Sequence, residues 1–432
     1  VTERRTWAKA LAGNLSWLLA SNGLMAALSL IYVGLLTRAL GIADFGRFSL
    51  ITGAAQMLVM LVSFETWKVV VQYGLRHSEA GDAPALARLL KASMAAELAS
   101  AAAGIVIVTL ALLASPALGL PARLLPYAAL FAAAQLISLR STPTGILRLK
   151  DRYGRGALAD SVQPLGRLFG TLAMLVFWPT IEGFLVAYAL AEIATALACW
   201  WLAFRTTDLK QLRRTRFDRH AAIAENPGIL AALWSTNVQA SLGLASRQVP
   251  LLVVGGYEGP ATAGAFRLAL QLANALAKLA TLVMRAAFPE IVRSVSAVTR
   301  ERFWRLVGRI ALAGFAGGAL VFLLVLLLGR QLLMLLGGSA FGDANILLLW
   351  LASAGCVEIA AAAFEPILFS LRRAGTVIVA RGAAVAVQLG AMAMLIPALG
   401  ARGASMSVLI GALLFGLFLA IGLARAAKRV DP

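Results

Sequence analysis

Charged and amide side chains recur at helical spacing inside the apolar runs of this 432-residue chain. The fullest series is Arg267, Gln271, Asn274, Lys278 and Arg285, at i, i+4, i+7, i+11 and i+18, which places all five on one face of a helix. A cation at the centre of a bilayer costs roughly 2.5–3.5 kcal/mol on insertion scales, so such a stripe is expected to line an interior, wet cavity. The other arrangement open to it is hydrogen bonding between helices, with Arg285 reaching toward the membrane surface.

A second series, Asp160, Gln163, Arg167 and Thr171, also shares one face. Pro164 lies among these residues; it frees a backbone carbonyl and bends the helix. Asp160 and Arg167 either face a cavity or neutralise one another. Arg140 follows Gln135 and precedes Pro143, Arg247 stands with Asn237, Gln248 and Pro250, and Arg381 is two turns from Gln388. Among the carboxylates, Glu358 and Glu365 are two turns apart on one predicted helix beside Pro366, and Glu192 falls near the middle of another. A membrane carboxylate either partners an Arg or exchanges a proton or cation, as ion coupling requires. Glu358, Glu365, Asp160 and Glu192 are the candidates for that second role.

Other chemistries are excluded. No G-x-x-x-x-G-K-[ST] run is present, so no P-loop nucleotide site is expected. The two histidines, His77 and His220, lie in polar segments, while Cys199 and Cys356 sit within apolar runs. No metal, cofactor or catalytic centre is expected, and the chain is not read as an enzyme.

The elements that must position these groups are set by hydropathy. Sixty per cent of the residues are apolar, 14% are charged and mean hydropathy is +0.84. Crossing a hydrocarbon core takes roughly 20 helical residues. Twelve runs of about that length or more are predicted, making an all-α polytopic membrane protein. They are 11–36, 45–64, 92–114, 125–147, 157–177 and 183–204, then 230–254, 264–288, 310–328, 346–370, 375–396 and 404–424. Residues 1–204 are expected to form one six-helix lobe, 205–229 a polar linker, and 230–432 a second lobe. The N-terminal Arg4, Arg5 and Lys9 precede a run too long for a signal-peptide core, which reads as a retained first helix.

Net charge is +19, yet this does not imply nucleic acid, because the charges fall between the apolar runs. Alternate connections and both ends hold at least 25 Lys and Arg; the others hold four, Arg38, Arg123, Arg330 and Arg402. The positive-inside rule then puts both termini and the 205–229 linker in the cytoplasm, where the basic side chains meet anionic lipid. An internal repeat appears at an offset of 218: Gly41, Gly46, Phe48 and Leu50 map onto Gly259, Gly264, Phe266 and Leu268, and Leu118-Gly119 onto Leu336-Gly337. With an even number of helices per half, the two halves are parallel repeats.

The segment Leu35-Leu36-Thr37-Arg38-Ala39-Leu40-Gly41-Ile42-Ala43-Asp44-Phe45-Gly46-Arg47-Phe48 resembles the opening of Wzx-type polysaccharide lipid flippases, within the multidrug/oligosaccharidyl-lipid/polysaccharide exporter superfamily. Its counterpart from Gly259 to Ala269, followed by Phe288-Pro289-Glu290, is similar too. The resemblance implies two lobes in a V around a central cavity, alternating between inward- and outward-open states in the bacterial inner membrane. The implied cargo is an undecaprenyl-diphosphate-linked oligosaccharide bound for O-antigen, capsule or exopolysaccharide. Polysaccharide polymerase and chain-length machinery are the implied protein partners. Residues expected to hold diphosphate and glycan are Arg140, Arg167, Arg247, Arg267, Gln271, Asn274, Lys278 and Arg381. Glu65, Trp67 and Lys68 depart from the small residues of relatives at the end of the second helix and leave the gate there unassigned. Two other readings remain: a drug or cation antiporter of the same superfamily, whose cavity would favour carboxylates, and a non-transporting scaffold, whose buried charges would be scattered.

Overall fold

In the computed structural model the described residues are 2–113, 121–207, 209–293, 300–362, 364–370 and 373–427. They form helices and connections, with no β-strand among them. In chain order the α-helices are α1 Thr2–Val62, α2 Thr66–Glu79, α3 Ala83–Leu113, α4 Leu125–Ile137, α5 Ser141–Leu149, α6 Tyr153–Phe177 and α7 Ile181–Phe204. Then come α8 Leu209–Arg214, α9 Arg219–Glu225, α10 Ile229–Glu258, α11 Pro260–Arg293, α12 Arg300–Gly337, α13 Asn345–Ala361, α14 Phe364–Ser370 and α15 Ala374–Ala427.

These helices cover the twelve expected runs, with joints of two kinds. Two pairs of runs are continuous helix apart from one glycine: α1 passes through Gly41 (φ +71°) and α15 through Gly400 (φ +56°). Two single runs are instead interrupted, between α4 and α5 and between α13 and α14, and the run 45–64 ends at a break between α1 and α2. Seven described stretches are long and apolar enough to cross a membrane, and Met25–Glu79 and Gly375–Arg425, at 55 and 51 residues, are each long enough to do so twice. Large apolar side chains such as Phe169, Phe177, Leu312, Leu327 and Met394 lie on the outside, where a bilayer rather than water stabilises them. The chain is an all-α polytopic membrane protein.

Contacts gather the chain into two compact units, Ile51–Leu244 and a second made of Val1–Leu50 with Ala245–Pro432. The division therefore runs through α1 and α10, not at the 205–229 segment. The repeat motif supplies the reason that residues 1–50 pack with the later ones. Gly41 and Gly259 both have positive φ, +71° and +86°, a conformation glycine adopts without strain. Five residues on, Gly46 and Gly264 lie where α1 and α11 approach closely. A methyl on Gly46 would lie 1.7 Å from the Pro260 carbonyl oxygen, and one on Gly264 2.4 Å from that of Ile42. The two copies of the motif thus pack on one another, with Phe48 and Phe266 both buried beside them. Leu118-Gly119, the other half of the second repeat pair, lies outside the described residues.

Within the 51–244 unit the polar 205–229 segment is docked rather than loose. Arg88 forms an ion pair with Glu225, and the Arg76 guanidinium donates to the Glu225 carbonyl at 2.5 Å. Lys91 donates to the Thr215 carbonyl at 2.8 Å, and His77 Nε2 lies 2.8 Å from Asn226 Oδ1, both of the latter side chains being buried. Asp218 caps α9, accepting from the His220 and Ala221 amides. Those amide hydrogen bonds, Ala221 first, hold its carboxyl below the usual carboxylate range.

Candidate functional site

The 51–244 unit contains a polar cavity of about 460 Å³, and two interrupted helices build it. α1 ends at Val62 and α2 begins at Thr66; α4 ends at Ile137 and α5 begins at Ser141. The second interruption follows from sequence: Pro143 offers no N–H, and its ring would meet the carbonyl of Leu139 if the helix were continuous. In its actual place, the first turn of α5, a proline costs nothing. Ser138 adds to the break by donating to the Ala134 carbonyl at 2.5 Å.

Each break frees backbone groups, and at membrane depth these must find partners. The Ser63 carbonyl accepts from the Asn237 amide at 2.6 Å, and the Leu139 carbonyl from the Trp200 indole at 2.6 Å. On the donor side, the Trp67 amide donates to Ser141 Oγ at 2.9 Å and the Thr142 amide to Glu97 Oε1 at 2.6 Å. The Thr66 and Thr142 hydroxyls also donate to that same Glu97 oxygen. The N-termini of two half-helices therefore converge on one carboxylate.

Beside this joint lies a cluster of charges. Glu192 on α7 accepts from Arg167 at 2.6 Å and from Gln163, both on α6, and its other oxygen lies 3.5 Å from Arg140. Arg140 sits at the α4–α5 break, which is why it can turn toward α7. The Arg167 guanidinium also rests on the Tyr188 ring, 4.8 Å from its centroid. Two guanidinium groups thus share one carboxylate. Of the two arrangements open to Asp160 and Arg167, mutual neutralisation is not the one that forms: Arg167 pairs with Glu192, and Asp160 is an exposed residue lining the cavity. The reason is spacing. Asp160 and Arg167 are seven residues, about two turns, apart on one helix, whereas α7 brings Glu192 directly across.

In the other unit the predicted residues form pairs. Arg247 lies 3.6 Å from Glu358, and Arg381 3.2 Å from Glu365, with its guanidinium 3.8 Å from the Phe415 ring centroid. Glu358 and Glu365 do not share one continuous helix, because the chain is interrupted between α13 and α14; each reaches its own arginine. Pro250 within α10 removes the N–H that would bond the Ser246 carbonyl, and Gln388 Nε2 donates to that oxygen instead, at 2.7 Å. A cavity of about 30 Å³ is lined by Ser246, Arg247, Glu358, Arg381, Gln388 and Phe415 among others. On α11, half-buried Arg267 donates to Gln248 Oε1 at 3.4 Å and Gln271 reaches Ser29 Oγ at 3.5 Å. Asn274 is half-buried and Lys278 exposed, and the Arg285 side chain lies outside those described.

Of the residues singled out from sequence, Arg140, Arg167, Asp160 and Glu192 come together in the 51–244 unit. Arg247, Arg381 and Glu358 line the small cavity of the other. Glu97, Thr66, Ser141 and Thr142 were not assigned a role in the sequence reading. The available signal was the polar run Ser138 to Thr144 with Pro143 inside an apolar stretch.

Helices interrupted at membrane depth, with freed carbonyls capped by side chains and cations held next to them, define a multi-pass membrane protein of transporter architecture. Solved structures share the fold. An inward-facing multidrug resistance MATE family transporter of the MOP superfamily aligns with a TM-score of 0.71, at 14% identity over 94% of this chain and 96% of that one. The lipid II flippase MurJ, in an inward closed conformation, aligns at 0.70, with 11% identity over 96% and 90%. The model of the polysaccharide biosynthesis protein family matches residues 11–295, and the chain belongs to that family. Inner membrane protein YghQ of Escherichia coli (strain K12) is 29% identical over 334 residues, 77% of this chain and 93% of that protein.

Proposed function

We propose that the protein is a flippase that carries a polyprenyl-diphosphate-linked oligosaccharide from the cytoplasmic to the outer leaflet by alternating access, for assembly of a surface polysaccharide. The observation that carries this reading is the pair of guanidinium groups, Arg140 and Arg167, that converge on Glu192 inside a polar cavity. Arg can hold phosphate oxygens through paired N–H groups, and removal from water strengthens that attraction. Gln163 and Gln135 line the same cavity with donors and acceptors suited to sugar hydroxyls. On α11, Arg267, Gln271, Asn274 and Lys278 offer a second set of the same kind. Family membership supports the polysaccharide route, and the fold of MurJ supports a lipid-linked cargo. We place the protein in the bacterial inner membrane, both termini and the 205–229 segment cytoplasmic, beside the polymerase and chain-length machinery that consume its product.

The test is transport in proteoliposomes loaded with a polyprenyl-diphosphate oligosaccharide, read by accessibility of the sugar to an external lectin. Arg167→Gln and Arg267→Gln are expected to slow flipping at least tenfold while the protein remains inserted, and Leu276→Ala to leave it unchanged. Equal rates in all variants would remove the phosphate-binding role.

A second reading, export of organic cations, is favoured by Glu65, Glu97, Asp160 and Glu192, which line the same cavity. The same vesicles distinguish the two: cation efflux without lipid movement supports the exporter.

A further inference from the structure

The joint at Glu97 does something the charge cluster beside it does not. Glu97 is 4% exposed, and all its hydrogen bonds fall on one oxygen, Oε1. The other oxygen, Oε2, is buried with no hydrogen-bond partner. Among the described residues no Lys, Arg or His lies within ion-pair distance of Glu97, although arginines line the same cavity. Those cations are engaged elsewhere: Arg140 and Arg167 on Glu192, Lys68 on Glu65, and Arg148 over the Trp67 ring at 3.9 Å.

The charged groups around Glu97 are engaged with other partners. α3 packs against α2, α4, α5, α8 and α9. α2 and its preceding turn carry Lys68 and Glu65, paired with one another; α5 and its preceding residue carry Arg148 and Arg140. α4 presents uncharged Gln135 to the cavity. The charges of α8 and α9, namely Lys210, Arg213, Arg214, Arg219, His220 and Glu225, belong to the segment docked near Arg88 and Lys91. Those two lie six and nine residues before Glu97, about 9–13 Å along α3.

We infer that Glu97 is a proton-binding site, with Oε2 taking up one proton from the cavity, and that this proton sets the strength of the joint between the two interrupted helices. The chemistry is a simple equilibrium: carboxylate and proton give the carboxylic acid, with no other bond made or broken. In the carboxylate form, Oε1 accepts charge-assisted hydrogen bonds from the starts of two half-helices, whose N-termini favour negative charge. With Oε2 protonated the charge is gone, the bare buried oxygen becomes a hydroxyl, and the three bonds to Oε1 weaken to ordinary ones. Falling pH therefore loosens the breaks at Ser63–Glu65 and Ser138–Arg140; rising pH tightens them. The 3.2 Å gap between the Thr66 and Thr142 hydroxyls favours a proton over a metal ion. Both hydroxyls already close on Oε1 at hydrogen-bonding contact, leaving no cage for a cation.

This goes beyond the lipid-flipping reading, and the measurements are local to the joint, so either can fail alone. The full chain in nanodiscs is followed by infrared difference spectroscopy across pH, and by labelling of a Ser138→Cys reporter at the break. A protonated-carboxyl band is expected to appear as pH falls, together with several-fold faster labelling. Glu97→Gln should abolish that band and leave labelling fast at every pH. Thr66→Val, which removes one donor to Oε1, should move both midpoints up by about one pH unit, the size of one hydrogen bond to a charged group. A band that survives Glu97→Gln, or a midpoint unmoved by Thr66→Val, overturns the assignment.

Discussion

The two units hold their membrane charges in different ways. In the 51–244 unit, Glu192 and Arg167 are 3% and 15% exposed, and a second arginine shares the carboxylate. In the other unit, Arg247 and Glu358 are 52% and 44% exposed. A buried ion pair is costly to break, because removing one partner leaves an uncompensated charge away from water. An exposed pair is worth little and exchanges readily. The 51–244 unit thus fixes its arginines in place, whereas the Arg247–Glu358 pair separates at little cost. Backbone breaks are handled alike in both units: a proline or an unwound turn frees a carbonyl, and an amide side chain takes it up.

The largest effect separating the units should come from Glu192→Ala, which removes the carboxylate that two guanidinium groups share and should cost about 3–5 kcal/mol. It is read as lost membrane level and a lower Tm in detergent. If Glu358→Ala lowers Tm as much, the contrast between the units is gone.

The next effect tests the common feature. Asn237→Ala and Gln388→Ala each uncover a buried carbonyl, of Ser63 and Ser246, and should each cost about 1–3 kcal/mol. Pro250→Ala restores the amide that the Ser246 carbonyl lacks, so in that background Gln388→Ala should cost distinctly less. Additive losses would show that Gln388 acts by packing alone.

The smallest effect is expected from Glu358→Gln, at most about 1 kcal/mol, since both partners are largely solvated. Binding of inorganic diphosphate is the sharper measurement there: freeing Arg247 should strengthen it. Unchanged or weaker binding would mean that Arg247 does not face the ligand.

Much of the protein was legible in its residues. Hydropathy alone placed the helices, since apolar length is dictated by bilayer thickness and depends little on neighbours. The 218-residue repeat was visible because its glycines are required twice over: Gly41 and Gly259 by backbone sign, Gly46 and Gly264 by a contact that no side chain survives. Helical spacing also marked Arg167 and Gln163 as sharing a face. Partnerships were a different matter. Asp160 was the nearer carboxylate to Arg167 in sequence, and Glu192 took the arginine because α7 lies against α6. Glu358 and Glu365 shared a face only while the helix was assumed continuous. The role of Glu97 could not be read at all, since its donors come from α2 and α5, 31 and 45 residues away. Sequence determines which segments enter the membrane, because that is a property of each segment with its solvent. Which charges meet, and which oxygen is left bare, is decided by how the helices cross and where they break.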